Sequence, residues 1–351
     1  MRMFRVSAAV ALTLALVACG RPAENAADAP PGATGKVVNL YTARHYDSDQ
    51  QIYNAFREKT GIRVRALEMR SPELIERLKG EGAASPADVV IIADAGSLWR
   101  AEQAGVFQPV KDAQLDARIP ANLRDPHGRW WAFSRRARVI AYDKAKVRPE
   151  EVSTYQALGG PRFKGQVCVR SSDNPYNLSM MSAFLPRWGR ERALQWARGV
   201  VGNFARQPTG GDIDQIRAVA AGACQVALTN TYYYLRLAAS GDAGDQEVAS
   251  KVALAFPEQA GAGTHVNVSG GGVTANAPHR VEAIAFLRFL ASDEAQRIFA
   301  EGNNEFPAVP GAPMPPLVAA YAKFKADDIR LSALGEHQAE AQAVYNEAGW
   351  R

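Results

Sequence analysis

The sequence predicts an α/β protein of two α/β domains joined by crossing strands, with a ligand cleft between them. Three observations carry that prediction. Strand-like and helix-like stretches alternate along most of the chain. The part able to fold is roughly 315 residues, above the usual size of a single core. Two extended stretches interrupt the alternation where the chain would pass from one domain to the other.

Val37 to Thr42 reads as the first strand. Asp47-Ser48-Asp49 can cap a helix whose Ile52, Tyr53 and Phe56 share one face before Gly61 ends it. Ile62 to Leu67 follows as a strand, then a helix from Ser71 to Lys79 with Ser71 at the cap and Pro72 at its first position. Asp88 to Asp94 is apolar enough for a fully buried strand, and Ser97 to Ala104 for a helix. This order argues a parallel sheet with crossover helices. Ser134 to Tyr142 is the first crossing. A second α/β region has strands at Gln166 to Arg170 and Gln225 to Thr229, with helices from about Asn177, near Glu191 to Arg198 and near Ile213 to Ala221. Val252 to Phe256 and His265 to Thr274 offer the second crossing, followed by helices at about Arg280 to Ala300 and Pro316 to Ala326. The lobes so drawn are residues 36–137 with 263–312, and residues 138–262 with 313–351.

Ahead of the body, residues 1–18 read as a secretory signal: Arg2 and Arg5, then an apolar run too short to span a bilayer. Leu16-Val17-Ala18-Cys19 resembles the bacterial lipobox, so Cys19 becomes the lipidated first residue; incidental placement in an ordinary secretory signal is the alternative. Residues 19–35 carry no aromatic residue and no apolar periodicity, and read as a disordered tether. Removing the leader lowers the formal net charge from +5 to +3, and the basic residues are dispersed, which argues against nucleic acid as a partner. Once Cys19 is acylated, Cys168 and Cys224 are the remaining cysteines. In an exported chain they suggest one disulfide, against two buried free thiols.

The run Tyr232-Tyr233-Tyr234 follows an apolar strand into what reads as a polar loop. His45-Tyr46 likewise follows a strand, and Tyr176 lies in Arg170-Ser-Ser-Asp-Asn-Pro-Tyr-Asn177. In open α/β sheets ligands bind beyond the carboxyl ends of strands, so these segments converge on the cleft. Phenolates suit a small, hard, highly charged cation, with imidazole acceptable as one ligand. Ionising one tyrosine at pH 7 costs roughly 4 kcal/mol, and three cost about 12, which a trivalent ion can offset and a weakly binding cation cannot. Tyr232 and Tyr233 can both face one ion only if the strand has ended before them, as Asn230-Thr231 suggests. Each piece has a plainer reading: the triplet as packing, His45 as a surface or capping residue. Tyr41, Tyr53, Tyr155, Tyr321 and Tyr345 read as packing residues. Tyr142 and Tyr234 are weaker candidates, His265 reads as packing or hydrogen bonding at the returning crossing, and His127 as a turn residue.

Asn39-Leu-Tyr-Thr-Ala-Arg-His-Tyr46, Leu98-Trp-Arg-Ala-Glu-Gln-Ala-Gly105, Phe133-Ser-Arg-Arg-Ala-Arg-Val139, Arg170 to Asn177, Asn230-Thr-Tyr-Tyr233 and Gly263-Thr-His-Val-Asn-Val-Ser269 together resemble the periplasmic ferric iron-binding proteins that feed iron(III) ABC transporters. The resemblance implies the type II two-lobed periplasmic binding protein fold and ferric ligands at His45, Tyr46, Tyr176, Tyr232 and Tyr233. It places an arginine beside the metal, matched by Arg136 with Arg135 and Arg138 as neighbours, to lower phenolate pKa values and receive carbonate or another synergistic anion. Tyr234 departs from the family pattern and falls outside the ligand set. The implied partners are a permease and its ATPase, with the membrane reached through the lipid alone and the protein a monomer in the periplasm. The tyrosine pair would bind iron first, closure would add His45 and Tyr46, and release at the permease would be helped by reduction.

A binding protein of the same fold for a small organic anion is the alternative, with tyrosines stacking and Arg136 pairing a carboxylate. An enzyme is disfavoured, since the chain contains no Gly-x-Ser-x-Gly elbow, His-Glu-x-x-His motif or P-loop.

Overall fold

A computed structural model describes residues 35–351. The signal at residues 1–18, Cys19 and the tether as far as residue 34 lie outside the described residues. In the first region β1 (Val37–Thr42), α1 (Asp49–Thr60), β2 (Arg63–Glu68), α2 (Ser71–Glu81), β3 (Val89–Ile92) and α3 (Ala95–Gln103) alternate as the sequence suggests. Gly61 closes α1 in the left-handed conformation, at φ 71°, where a Cβ would be strained. α2 starts one residue earlier than expected: Arg70 is the cap, so Ser71 and Pro72 are its first helical residues, where a missing N–H costs nothing. A short α4 (Ala113–Arg118) leads to β4 (Trp131–Asp143), the long crossing strand.

The second region holds β5 (Val167–Cys168), α5 (Pro175–Trp188), α6 (Arg190–Gly202), α7 (Asp212–Ala220), β6 (Val226–Asn230), α8 (Thr231–Ala239), α9 (Ala243–Lys251) and β7 (Val252–Ala255). The chain returns through β8 (Val266–Val273) to α10 (Arg280–Leu290), α11 (Asp293–Asn303) and β9 (Phe306–Pro307). It ends in α12 (Pro316–Tyr321), α13 (Ala333–Glu336) and α14 (Gln338–Ala348). Ser292 caps α11 and separates it from α10.

The sheet runs β2-β1-β3-β8-β4-β6-β5, with β7 and β9 also pairing with β4. It is parallel at its flanks, β2-β1-β3 and β6-β5, as the alternation implies, and antiparallel where the crossings pass. β4 changes partners along its length. Trp131 to Ala137 pair with β8, whereas Arg138 to Tyr142 pair with β6. β8 fits between β3 and β4 because residues 270–272 are glycines: a Cβ on Gly271 would overlap the Val90 carbonyl.

Core composition follows the same division. One apolar cluster gathers β1, β3, the start of β4 at Phe133, and α10 with Phe286 and Phe289. The later half of β4 alternates between two other clusters: Ile140 and Tyr142 face Phe184, Trp196 and Trp350, while Val139 and Ala141 face Val219, Leu235 and Leu237. Both faces of that half are therefore buried, which explains its continuous apolar run. Cys168 and Cys224 form a disulfide, fastening the end of β5 to the turn before β6.

Candidate metal centre

The tyrosine run does not enter a loop. β6 ends at Asn230, where its pairing with Arg138 of β4 stops, and α8 begins at Thr231, so Tyr232 and Tyr233 occupy its first turn. Tyr176 lies in the first turn of α5, its N–H bonded to the Asn174 side-chain oxygen at 3.0 Å, with Pro175 before it. Both helix starts bring positive dipole ends to this region, which favours oxyanions. The Tyr176 and Tyr232 hydroxyls are 3.1 Å apart, and the Tyr232 and Tyr233 rings 4.1 Å apart. Tyr46, four residues past β1, meets Tyr232 edge-on with centroids 6.4 Å apart. Four sequence-predicted tyrosines from three segments are thus neighbours.

Tyr46, Tyr232 and Tyr233 are held as protonated phenols. Tyr46 is pushed up to about 12, first by burial and then by the Glu305 carboxylate, with Arg136 and Arg44 opposing. Burial also raises Tyr232 well above its ordinary value, helped by Tyr176 and Tyr46, and raises Tyr233, helped by Tyr176. Each phenolate would repel the others. A multivalent cation at their centre reverses that repulsion and can displace the protons.

A buried ion cluster lies beneath Tyr46. Arg136, fully buried, donates to the Ala93 carbonyl at 2.9 Å and to the Ser269 hydroxyl, and its guanidinium is 3.3 Å from Glu305. Arg44 donates to both Asp49 oxygens, to Glu305 at 3.1 Å and to Ser269 at 2.6 Å, with its guanidinium 4.7 Å from the Tyr46 ring centroid. Burial alone would raise the Glu305 carboxyl, but the Arg44 and Arg136 guanidiniums outweigh it and hold the group below its ordinary value. The neighbouring arginines on β4 are engaged elsewhere: Arg135 donates to the Pro307 carbonyl, and Arg138 to Asp212, Asn230 and Asn177.

His45 stands apart. Its side chain is 53 % exposed, with Nδ1 3.4 Å from a Glu68 oxygen, and among the described residues no ring contact or hydrogen bond links it to the tyrosines. Tyr234 turns to the opposite side, packing on Tyr321 with its hydroxyl donating to the Ala249 carbonyl. Tyr41, Tyr53, Tyr142, Tyr155 and Tyr345 are core residues, and Tyr321 packs at the edge of its cluster. His265 is buried, bonds Ser179 at 2.9 Å, and is pushed down to about 3 by burial and by Arg138. His127 occupies a turn whose N–H groups bond Asp125. Sequence reasoning missed Glu305 and Asp212, since no local pattern marks either one. Among the described residues no cluster of three His, Cys, Asp or Glu side chains could hold a metal, so a metal here would rest on the phenols.

A mixed α/β sheet with crossing strands and a polar cluster at its helix starts defines a solute-binding protein of the type II two-lobed fold. The chain belongs to the bacterial extracellular solute-binding protein family, whose pattern matches residues 84–328. It is 50 % identical over 321 residues to iron uptake protein A2 of Synechocystis sp., covering 91 % of each chain. Its structure is similar to that of a Trichodesmium protein in complex with iron and citrate ligands, at TM-score 0.86 and 49 % identity over 90 % of this chain and 100 % of that one. It is also similar to the ferric binding protein from Campylobacter jejuni, at TM-score 0.84 and 38 % identity over 90 % and 100 %.

Proposed function

We propose that this chain binds ferric iron outside the cytoplasm and delivers it to an ABC transporter through that transporter's permease and ATPase. The observation that carries the reading is the convergence of Tyr46, Tyr176, Tyr232 and Tyr233, with two hydroxyls 3.1 Å apart. The four tyrosines are the iron ligands, and His45 joins them by turning away from Glu68 when iron is bound. Arg136 and Arg44 offset the growing phenolate charge. Iron is cargo here, and the protein's task is to hold it tightly outside and release it at the permease, helped by reduction, because ferrous iron gains far less from phenolates.

The lobes are residues 36–137 with 263–312 and residues 138–262 with 313–351. Partner exchange along β4 and the separation of its apolar clusters support that division, although Leu331 and Leu334 pack in the first cluster. The chain is a periplasmic monomer anchored through lipidated Cys19. Carbonate, or citrate as in the Trichodesmium complex, could complete the coordination only beside the phenols, since Arg136 already faces Glu305. That pairing also weakens the organic-anion alternative, which needs Arg136 for its carboxylate.

The test is a visible absorption titration of the purified protein with ferric nitrilotriacetate, alongside Tyr233→Phe. A one-to-one phenolate-to-iron band that shifts in the variant supports the reading. A colourless protein indifferent to chelators would return the reading to an organic anion.

A further inference from the structure

Outside the phenol cluster, a single carboxylate reaches both segments that present the paired tyrosines. Asp212, 1 % exposed, opens α7. Its Oδ1 accepts from the Arg138 guanidinium and from the N–H of Asn230 at 3.1 Å, the residue where β6 gives way to α8 two positions before Tyr232. Its Oδ2 accepts from Arg170 at 2.6 Å. The Arg170 and Ser171 carbonyls in turn accept from the side-chain amide of Asn177, the neighbour of Tyr176. Arg138 closes the circuit by donating to the Asn177 oxygen at 2.7 Å.

Charge-assisted bonds of this kind are short and directional. One carboxylate between two guanidiniums leaves a net positive charge, with Arg170 6.0 Å from the Tyr176 ring centroid. Among the described residues no hydrogen bond joins either guanidinium to Tyr46, Tyr176, Tyr232 or Tyr233, so their effect on these tyrosines passes through backbone placement and field.

Resting on the ferric reading above, we propose that Asp212 is a positioning residue of the iron site. It holds the starts of α5 and α8 in one frame, and so sets the approach of the Tyr176 and Tyr232 hydroxyls before iron arrives. Outer partners of metal ligands typically contribute about 10- to 100-fold to metal affinity.

The test compares Asp212→Asn and Arg170→Gln with the unaltered protein. Amide hydrogen exchange is measured without iron over residues 174–178 and 230–234, and absorption with ferric nitrilotriacetate. Asp212→Asn should speed exchange in both segments, lower ferric affinity by about tenfold or more, and shift the charge-transfer band. Arg170→Gln should act mainly on residues 174–178, with a smaller loss. The proposal is overturned if the variants fold normally yet leave exchange and affinity within about twofold of the unaltered protein, against the tenfold expected of an outer partner. If Asp212→Asn does not fold, Arg170→Gln decides, since that arginine is partly exposed and its loss spares the Arg138 pair. An unaltered protein that gives no ferric band would sink the ferric reading itself, while the exchange data would still decide whether Asp212 orders the two segments.

Discussion

The hydroxyls of Tyr176 and Tyr232 lie 3.1 Å apart although 56 residues separate them in the chain. Each stands in the first turn of a helix that follows a strand of the same parallel pair, β5 and β6, and the Cys168–Cys224 disulfide fastens that pair behind them. Placing two phenols at two helix starts supplies positive dipole ends where phenolates would form if these tyrosines take the cation. The arrangement suits a cation that arrives after folding and displaces protons.

Removing one of those phenols should weaken ferric binding without unfolding the protein. Tyr176→Phe, at a half-buried position, is expected to lower affinity on the order of a hundredfold, about 3 kcal/mol, in competition against nitrilotriacetate. An unchanged dissociation constant would exclude Tyr176 as a ligand.

Iron uptake should release protons. Tyr46, Tyr232 and Tyr233 all have raised pKa values, so each is protonated at pH 7 and must lose its proton to bind. Affinity therefore falls as pH falls. Indicator-dye measurements in weak buffer should find roughly three protons or more per ferric ion after correction for the chelator.

His265 should make the protein acid-sensitive. Its folded pKa, about 3, lies below the ordinary 6.5, so between those values the unfolded chain binds a proton that the folded one refuses. This contribution is complete above pH 6.5 and is lost as pH falls toward 3, at up to about 1.4 kcal/mol per pH unit. Urea unfolding at pH 7 and pH 5 should show a steeper loss for the native chain than for His265→Asn; equal losses would count against the assignment.

Glu305→Gln would leave Arg44 and Arg136 with Asp49 as their remaining buried carboxylate. Breaking such a cluster typically costs about 3–5 kcal/mol, far more than an exposed pair. Denaturant midpoints for Glu305→Gln and for the exposed Lys251→Gln, which loses only its pairing with Glu247, should therefore differ widely.

Reducing the disulfide, or replacing both cysteines with serine, should lower stability by roughly 2–4 kcal/mol, because the bridge closes a long loop in the unfolded chain. Since the bridge lies behind the tyrosine helices, ferric affinity is expected to fall by less than for Tyr176→Phe. Calorimetry with and without reductant, paired with the iron titration, measures both.

The sequence by itself determined the α/β class, the order of most strands and helices, the two crossings and the phenol-rich character of the candidate site. These follow from local periodicity, caps and residue chemistry. It placed Tyr46, Tyr176, Tyr232 and Tyr233 after strands, where cleft residues belong. Only the tertiary structure decided that Tyr232 starts a helix, because that depends on where β6 loses its partner on β4. Only it separated Arg136 from Arg135 and Arg138, and set His45 beside Glu68. Glu305 reaches Arg44 across 261 residues, and Asp212 reaches Arg138 across 74. Such pairings leave no periodic trace, since a buried charge takes whichever opposite charge the fold brings within reach, and that choice is made by packing between distant segments.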